Sequence, residues 1–159
     1  MVGARTGQLT TGRALFAGAA LLVFALDRVT KSQVVAAIPE NTERGPYLGF
    51  IWIQHIQNSC AAFSLCGPAQ SVFLVISGVV LIAIVVYTFR LGGGLLAHGV
   101  LGLVLGGVAG NAFDRLLHGS VTDFIGLHWW PTFNVADSAI SVGLVVIALG
   151  YLSRRPPSA

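Results

Sequence analysis

AQSVFLVISGVVLIAIVVYTF, Ala69 to Phe89, contains no charged side chain. About 20 helical residues cross the ~30 Å hydrocarbon layer of a bilayer, so this run reads as a transmembrane helix. It is followed, after Arg90, by Leu91 to Asn111, nearly as apolar and interrupted only by His98. Gly99, Gly102, Gly106, Gly107 and Gly110 in that second run would let neighbouring helices approach closely, which predicts an interior helix. Outward from these two, Ala14 to Leu26 and Ala139 to Leu152 are apolar but too short to span. Each reaches the required length only by extending past a carboxylate, Asp27 in one and Asp137 in the other.

The whole composition agrees with four spans. The chain has 159 residues, of which 55% are hydrophobic and 9% charged, with a mean hydropathy of +0.80. These values lie far from a soluble average and describe an all-α integral membrane protein, a single domain over residues 1–159. The net charge of +3 does not indicate a nucleic-acid partner, because the arginines stand singly between apolar runs instead of clustering on one face. Val23-Phe24-Ala25 resembles a signal-peptidase cleavage site behind a basic, apolar N-terminus. A retained helix is the better expectation, since helical apolar character resumes at Val34 to Ile38.

Arg5 and Arg13 precede the first span, Arg90 separates the second and third, and Arg154 and Arg155 follow the fourth. By the positive-inside rule both termini are expected in the cytoplasm. Asp27, Glu40, Glu43, Asp114, Asp123 and Asp137 then fall on the other side, so chemistry that uses carboxylates is expected at the extracytoplasmic face. The first outer connection is expected from about Arg28 to Gly67. Within it GFIWIQHIQN, Gly49 to Asn58, is β-branched, aromatic and partly alternating, which predicts a small β-element. Cys60 and Cys66 are too few for a disulfide scaffold and lack zinc-ligand spacing; as small apolar residues or as a bridged pair they remain open.

Asp114, Asp123 and Asp137 share an otherwise apolar, aromatic region with Asn111, Arg115 and Asn134, and polar groups at membrane depth point to function. Structural roles compete: Asn134 or Asp137 could cap the fourth helix, and Asp114 could pair with Arg115 or Lys31. Two carboxyls brought together do not both ionise readily, so one serves as base toward an attacking water and the other as acid toward a carbonyl oxygen. Such a pair needs no metal or other cofactor. His55, His118 and His128 show no metal-binding spacing, and Trp129 and Trp130 suit a bilayer interface. A proton-coupled carrier, a structural subunit, or a Ser–Lys site joining Lys31 to Ser64 or Ser138 are the competing readings.

Spacing alone does not bring Asp123 to Asp137, but five ordered blocks do carry a resemblance. DRVTK (Asp27 to Lys31), NSCAAF (Asn58 to Phe63), GNAFDR (Gly110 to Arg115), GSVTDFI (Gly119 to Ile125) and FNVADS (Phe133 to Ser138) resemble the signature blocks of the bacterial lipoprotein signal peptidases, the type II signal peptidases. The resemblance implies an aspartyl endopeptidase that cuts prolipoproteins just before a diacylglyceryl-modified cysteine. It implies Asp123 and Asp137 as the catalytic pair, Asn111, Arg115, Asn134 and Asn58 as orienting or substrate-binding residues, and Asp27, Lys31 and Asp114 as supporting polar residues. It further implies a four-helix bundle with a small extracytoplasmic β-element in the bacterial inner membrane, lipidated prolipoproteins and membrane lipids as partners, and the cyclic peptide globomycin as inhibitor. Two positions depart from the pattern: Cys60 stands where the family usually has Gly, and Arg28 where Gln is frequent.

Overall fold

The computed structural model describes residues 2–59, 69–90 and 94–153. Cys60, Cys66, Ser64, Arg154, Arg155 and most of the Asn58 to Phe63 block lie outside the described residues. The elements run in the order α1 (Val2–Ala37), β1 (Glu43–Tyr47), β2 (Ile51–Asn58), α2 (Ala69–Arg90), α3 (Leu95–His118), β3 (Val121–Gly126) and α4 (Val135–Leu152). All four helices are long and apolar enough to cross a membrane. The two short runs do extend past their acids, α1 beyond Asp27 and α4 to a start at Val135 before Asp137.

One boundary differs from the sequence expectation. The connection placed from about Arg28 is helical as far as Ala37, so α1 is 36 residues long, about 54 Å at 1.5 Å per residue. The charges that suggested a helix end are neutralised within the protein: Asp27 and Lys31 are one turn apart, and their charged atoms lie 2.8 Å from each other.

α3 is the central helix, packing on α1, α4 and α2, as its small residues predict. A Cβ at Gly102 would strike the Phe16 carbonyl and one at Gly106 the Ala20 carbonyl, both on α1. On the α4 side, a Cβ at Gly107 would strike the Ala136 carbonyl. The outward faces of α1, α2 and α4 expose Leu22, Val75, Ile82, Val145 and Leu149, apolar side chains suited to lipid.

The β-element is a three-stranded antiparallel sheet in the order β1-β2-β3. Its β2 arm agrees with the sequence expectation, whereas β3 is a strand that the sequence reading does not predict. Gly119 ends α3 with φ 70°, in the left-handed region that a Cβ disfavours, and its N–H closes on the Arg115 carbonyl. The chain then turns at once into β3, pairing Asp123 with Ile56 and Val121 with Asn58. After β3 it doubles back, because Phe133 N–H donates to the Ile125 carbonyl at 3.1 Å and the Phe133 carbonyl accepts from Ile125 N–H at 2.7 Å. That return delivers Asn134 to the side of Asp123 and starts α4.

Candidate active site

Asn134 has the central place. It is completely buried, and as N-cap of α4 its side-chain oxygen accepts the Asp137 N–H at 2.9 Å. Asp137 answers by accepting the Asn134 N–H on Oδ2 at 3.2 Å, completing a capping box. The remaining group, the amide Nδ2, donates to Asp123 Oδ1 at 2.7 Å and to Asn111 Oδ1 at 3.1 Å. One asparagine therefore holds both carboxyls, one from β3 and one from the first turn of α4.

Two other amides complete the arrangement. Asn111 of α3 donates Nδ2 to Asp137 Oδ1 at 2.7 Å, and Asn58 at the end of β2 donates Nδ2 to Asp123 Oδ2 at 2.8 Å. Every carboxyl oxygen of the two acids thus accepts one N–H. Burial pushes Asp123 up from the usual carboxylate range to about 6, against the Asn58 and Asn134 hydrogen bonds and helped by the nearby charge of Asp137.

Behind the asparagines lies a buried ionic cluster. Lys31 Nζ sits 2.8 Å from Asp27 Oδ2, 2.8 Å from Asp114 Oδ2 and 3.0 Å from Asn111 Oδ1. Three acceptors occupy the three donors of an ammonium group, which leaves Lys31 no capacity to act as a base. Its bond to Asn111 Oδ1 also decides which way that amide faces, so that Nδ2 must point at Asp137. Asp27 Oδ1 accepts the Ala136 N–H at 3.0 Å, satisfying a second orphan donor of α4 from another helix. Asp114 pairs with Lys31 and with Arg28 Nη2 at 2.5 Å, and accepts the Thr122 N–H at 3.4 Å.

Residues 19–153 match the family model described as signal peptidase (SPase) II. The lipoprotein signal peptidase of Syntrophomonas wolfei is 38% identical over 134 residues, covering 84% of this chain and 90% of its own. That of Aquifex aeolicus is 36% identical over 151 residues, covering 89% and 88%. A solved bacterial membrane enzyme shares the fold with a TM-score of 0.80 at 26% identity, covering 89% of this chain and 91% of that one.

The chain belongs to the signal peptidase II family.

As a signal peptidase II it is a multi-pass bacterial membrane peptidase of lipoprotein maturation. Asp123, Asp137, Asn111, Asn134, Asn58, Asp27, Lys31 and Asp114, all singled out from the sequence, meet in one hydrogen-bonded assembly. Arg115 makes no side-chain hydrogen bond to the assembly but lies close enough for charge interaction with Asp137, Asp123 and Asp114; its Nη1 reaches its own helix at the Asn111 carbonyl, 3.4 Å away, and its guanidinium lies 5.7 Å from the Phe73 ring centroid. Asp114 forms its ion pairs with Lys31 and Arg28, and not with Arg115. Both proposed capping residues cap α4, so structural and site roles coexist in Asn134 and Asp137.

Sequence reasoning missed the cross-helix cap from Asp27 and the part of Arg28. It also missed a polar set beside Asp123, in which Ser120 Oγ donates to Gln57 Oε1 at 2.8 Å and Gln57 Nε2 to Thr122 Oγ1 at 3.1 Å. The signal was present as Gln57 beside Asn58 at the end of β2. Ser138 Oγ donates to the Asn134 carbonyl at 2.9 Å, one turn back on its own helix. Among the described residues no group of three His, Cys, Asp or Glu side chains converges as metal ligands do.

Proposed function

We propose that this signal peptidase is of the aspartic type, with Asp123 and Asp137 as the catalytic pair, and that it cuts prolipoproteins just before the lipidated cysteine. The observation that carries this reading is the position of Asn134, which binds Asp123 through its side chain and Asp137 through its backbone. One carboxylate takes a proton from water as the oxygen attacks the scissile carbonyl carbon. The other carboxylic acid donates to the carbonyl oxygen, and the proton gained by the first is passed to the departing amine. Ionisation of Asp123 at about 6 suits such exchange near neutral pH. Asn111, Asn134 and Asn58 keep the acids in place, and Arg115 is available to substrate backbone near them.

The depth of the site follows from the substrate. A diacylglyceryl-modified cysteine keeps its acyl chains in the bilayer, so the bond before it lies near the headgroups. With both termini cytoplasmic, the orientation the arginines favour, the acids occupy the extracytoplasmic edge of the inner membrane. Globomycin is proposed to bind where the signal peptide does.

A proton carrier would need polar side chains through the depth of the bundle. Toward the opposite end the buried polar side chains among the described residues are Thr88 and His98, bonded to their own helices at the Ile84 and Gly94 carbonyls. The test is cleavage of a lipidated precursor by the purified protein and by Asp123→Asn and Asp137→Asn. Each variant should lose at least about a hundredfold in turnover while unfolding cooperatively like the parent. Wild-type turnover by either variant would overturn the reading.

A further inference from the structure

A cleft of about 430 Å³ opens between α1 and α3 beside β3, lined by Arg28, Ser32, Val35, Asp114, His118 and Thr122 among others. Lys31 and Asp114 at its back belong to the buried ionic cluster. Arg28 belongs only in part. Its Nη2 holds Asp114 and its Nε is buried without a hydrogen bond, 4.0 Å from Asp27 Oδ2. No other polar partner of Arg28 occurs among the described residues, yet 21% of its side chain is exposed and lines the cleft. A guanidinium carries five N–H donors, so most of its capacity is unspent.

Charge and position say what would use it. Arg28 and Lys31 balance Asp27 and Asp114, so the cluster has no net charge before His118 is counted, and an added anion meets no uncompensated carboxylate. The cleft also lies at the boundary between polar and apolar surface. Phe24 and Leu21 precede Arg28 by one and two helical turns on the same face of α1, and Phe113 and Leu117 share a face of α3. The Phe24 and Phe113 rings meet edge to face at 5.7 Å, and the Arg28 guanidinium lies 5.1 Å from the Phe113 centroid. Leu21 and Leu117 are exposed. An apolar track therefore leads from the guanidinium down the membrane-spanning part of the helices.

We propose that this cleft binds a phospholipid, its phosphodiester oxygens accepting from Arg28 and His118 while an acyl chain follows Leu21, Phe24, Phe113 and Leu117. Arg is the side chain whose planar fork suits a phosphate. A bound phosphate would also hold Arg28 against Asp114, whose other oxygen receives the Thr122 N–H next to Asp123.

The experiment uses the full chain in detergent, with added phosphatidylglycerol as the probe. Native mass spectrometry counts retained lipid, and thermal unfolding reports the stabilisation that binding confers. The parent should retain one phosphatidylglycerol, and Arg28→Gln should bind it about tenfold more weakly. Ser32→Trp, which fills the cleft without touching an ion pair, should do the same, and it keeps the test decisive if Arg28→Gln fails to fold. Diacylglycerol with the same acyl chains, and inorganic phosphate alone, should give no comparable shift. Undiminished retention by Ser32→Trp would overturn the proposal. So would equal binding of diacylglycerol, which would leave only apolar contact, or of inorganic phosphate, which would make the cleft an anion site without a lipid.

Discussion

At the scale of single residues, the site is built by amides that decide where protons go. Asn58 favours the ionised form of Asp123 by donating to it. Asn58→Ala should therefore raise that ionisation above about 6 and move the matching limb of the pH–rate profile to higher pH. Stability carries the same sign. Asp123 ionises at a higher pH in the folded chain than its ordinary value of 3.8, so its contribution is largest in acid and is lost as the pH rises through about 6. Asp123→Asn should accordingly gain stability relative to the parent as the pH rises from about 4 to about 6 and gain no more above about 7, as measured by denaturation at a series of pH values. The acids and asparagines themselves were legible because polar residues in so apolar a chain need a reason. Arg28 was passed over because a lone arginine beside a motif looks like an interface residue, and only the approach of α3 gives it Asp114.

At the scale of elements, α3 and the start of α4 set the geometry. Gly106→Ala would drive a methyl into the Ala20 carbonyl of α1, backbone that cannot swing aside, and should cost about 1–3 kcal/mol in thermal or denaturant unfolding. Gly78→Ala on α2, with nothing within 4 Å of the added Cβ, should be neutral or stabilising by up to about 1 kcal/mol. That contrast separates close packing from helix propensity. The spans could be read from apolar runs because length and hydropathy are local properties. The helical stretch from Arg28 to Ala37 was legible only in its apolar end from Val34, since the cations Arg28 and Lys31 are neutralised by Asp114, more than 80 positions away, as well as by Asp27. β3 was hidden for a similar reason: VTDFIG is short, and it becomes a strand by pairing with β2 across the fold.

At the scale of the molecule, α1 is fastened to α3 by the ion pairs on Asp114 and to α4 by the Asp27 carboxylate on the Ala136 N–H. Lys31→Met would strand the buried Asp27 carboxylate, leave Asp114 to Arg28 alone and release the Asn111 amide, and should destabilise by about 3–5 kcal/mol while lowering cleavage in whatever fraction stays folded. Calorimetry beside an activity assay would register both losses. The return of the chain from β3 to Asn134, which joins the two acids, could not be inferred from spacing and came from resemblance; the Phe133 to Ile125 bridge is its physical cause. The adjacency of Asp27 and Lys31 within one turn also bears on how the protein is made. The first helix emerges with its acid and base already able to neutralise each other, so it can enter the bilayer before any later segment exists to receive them. Its spare capacity, the free Asp27 oxygen and two remaining ammonium protons, then waits for α3 and α4, so that α4 completes a site whose foundation was laid by α1.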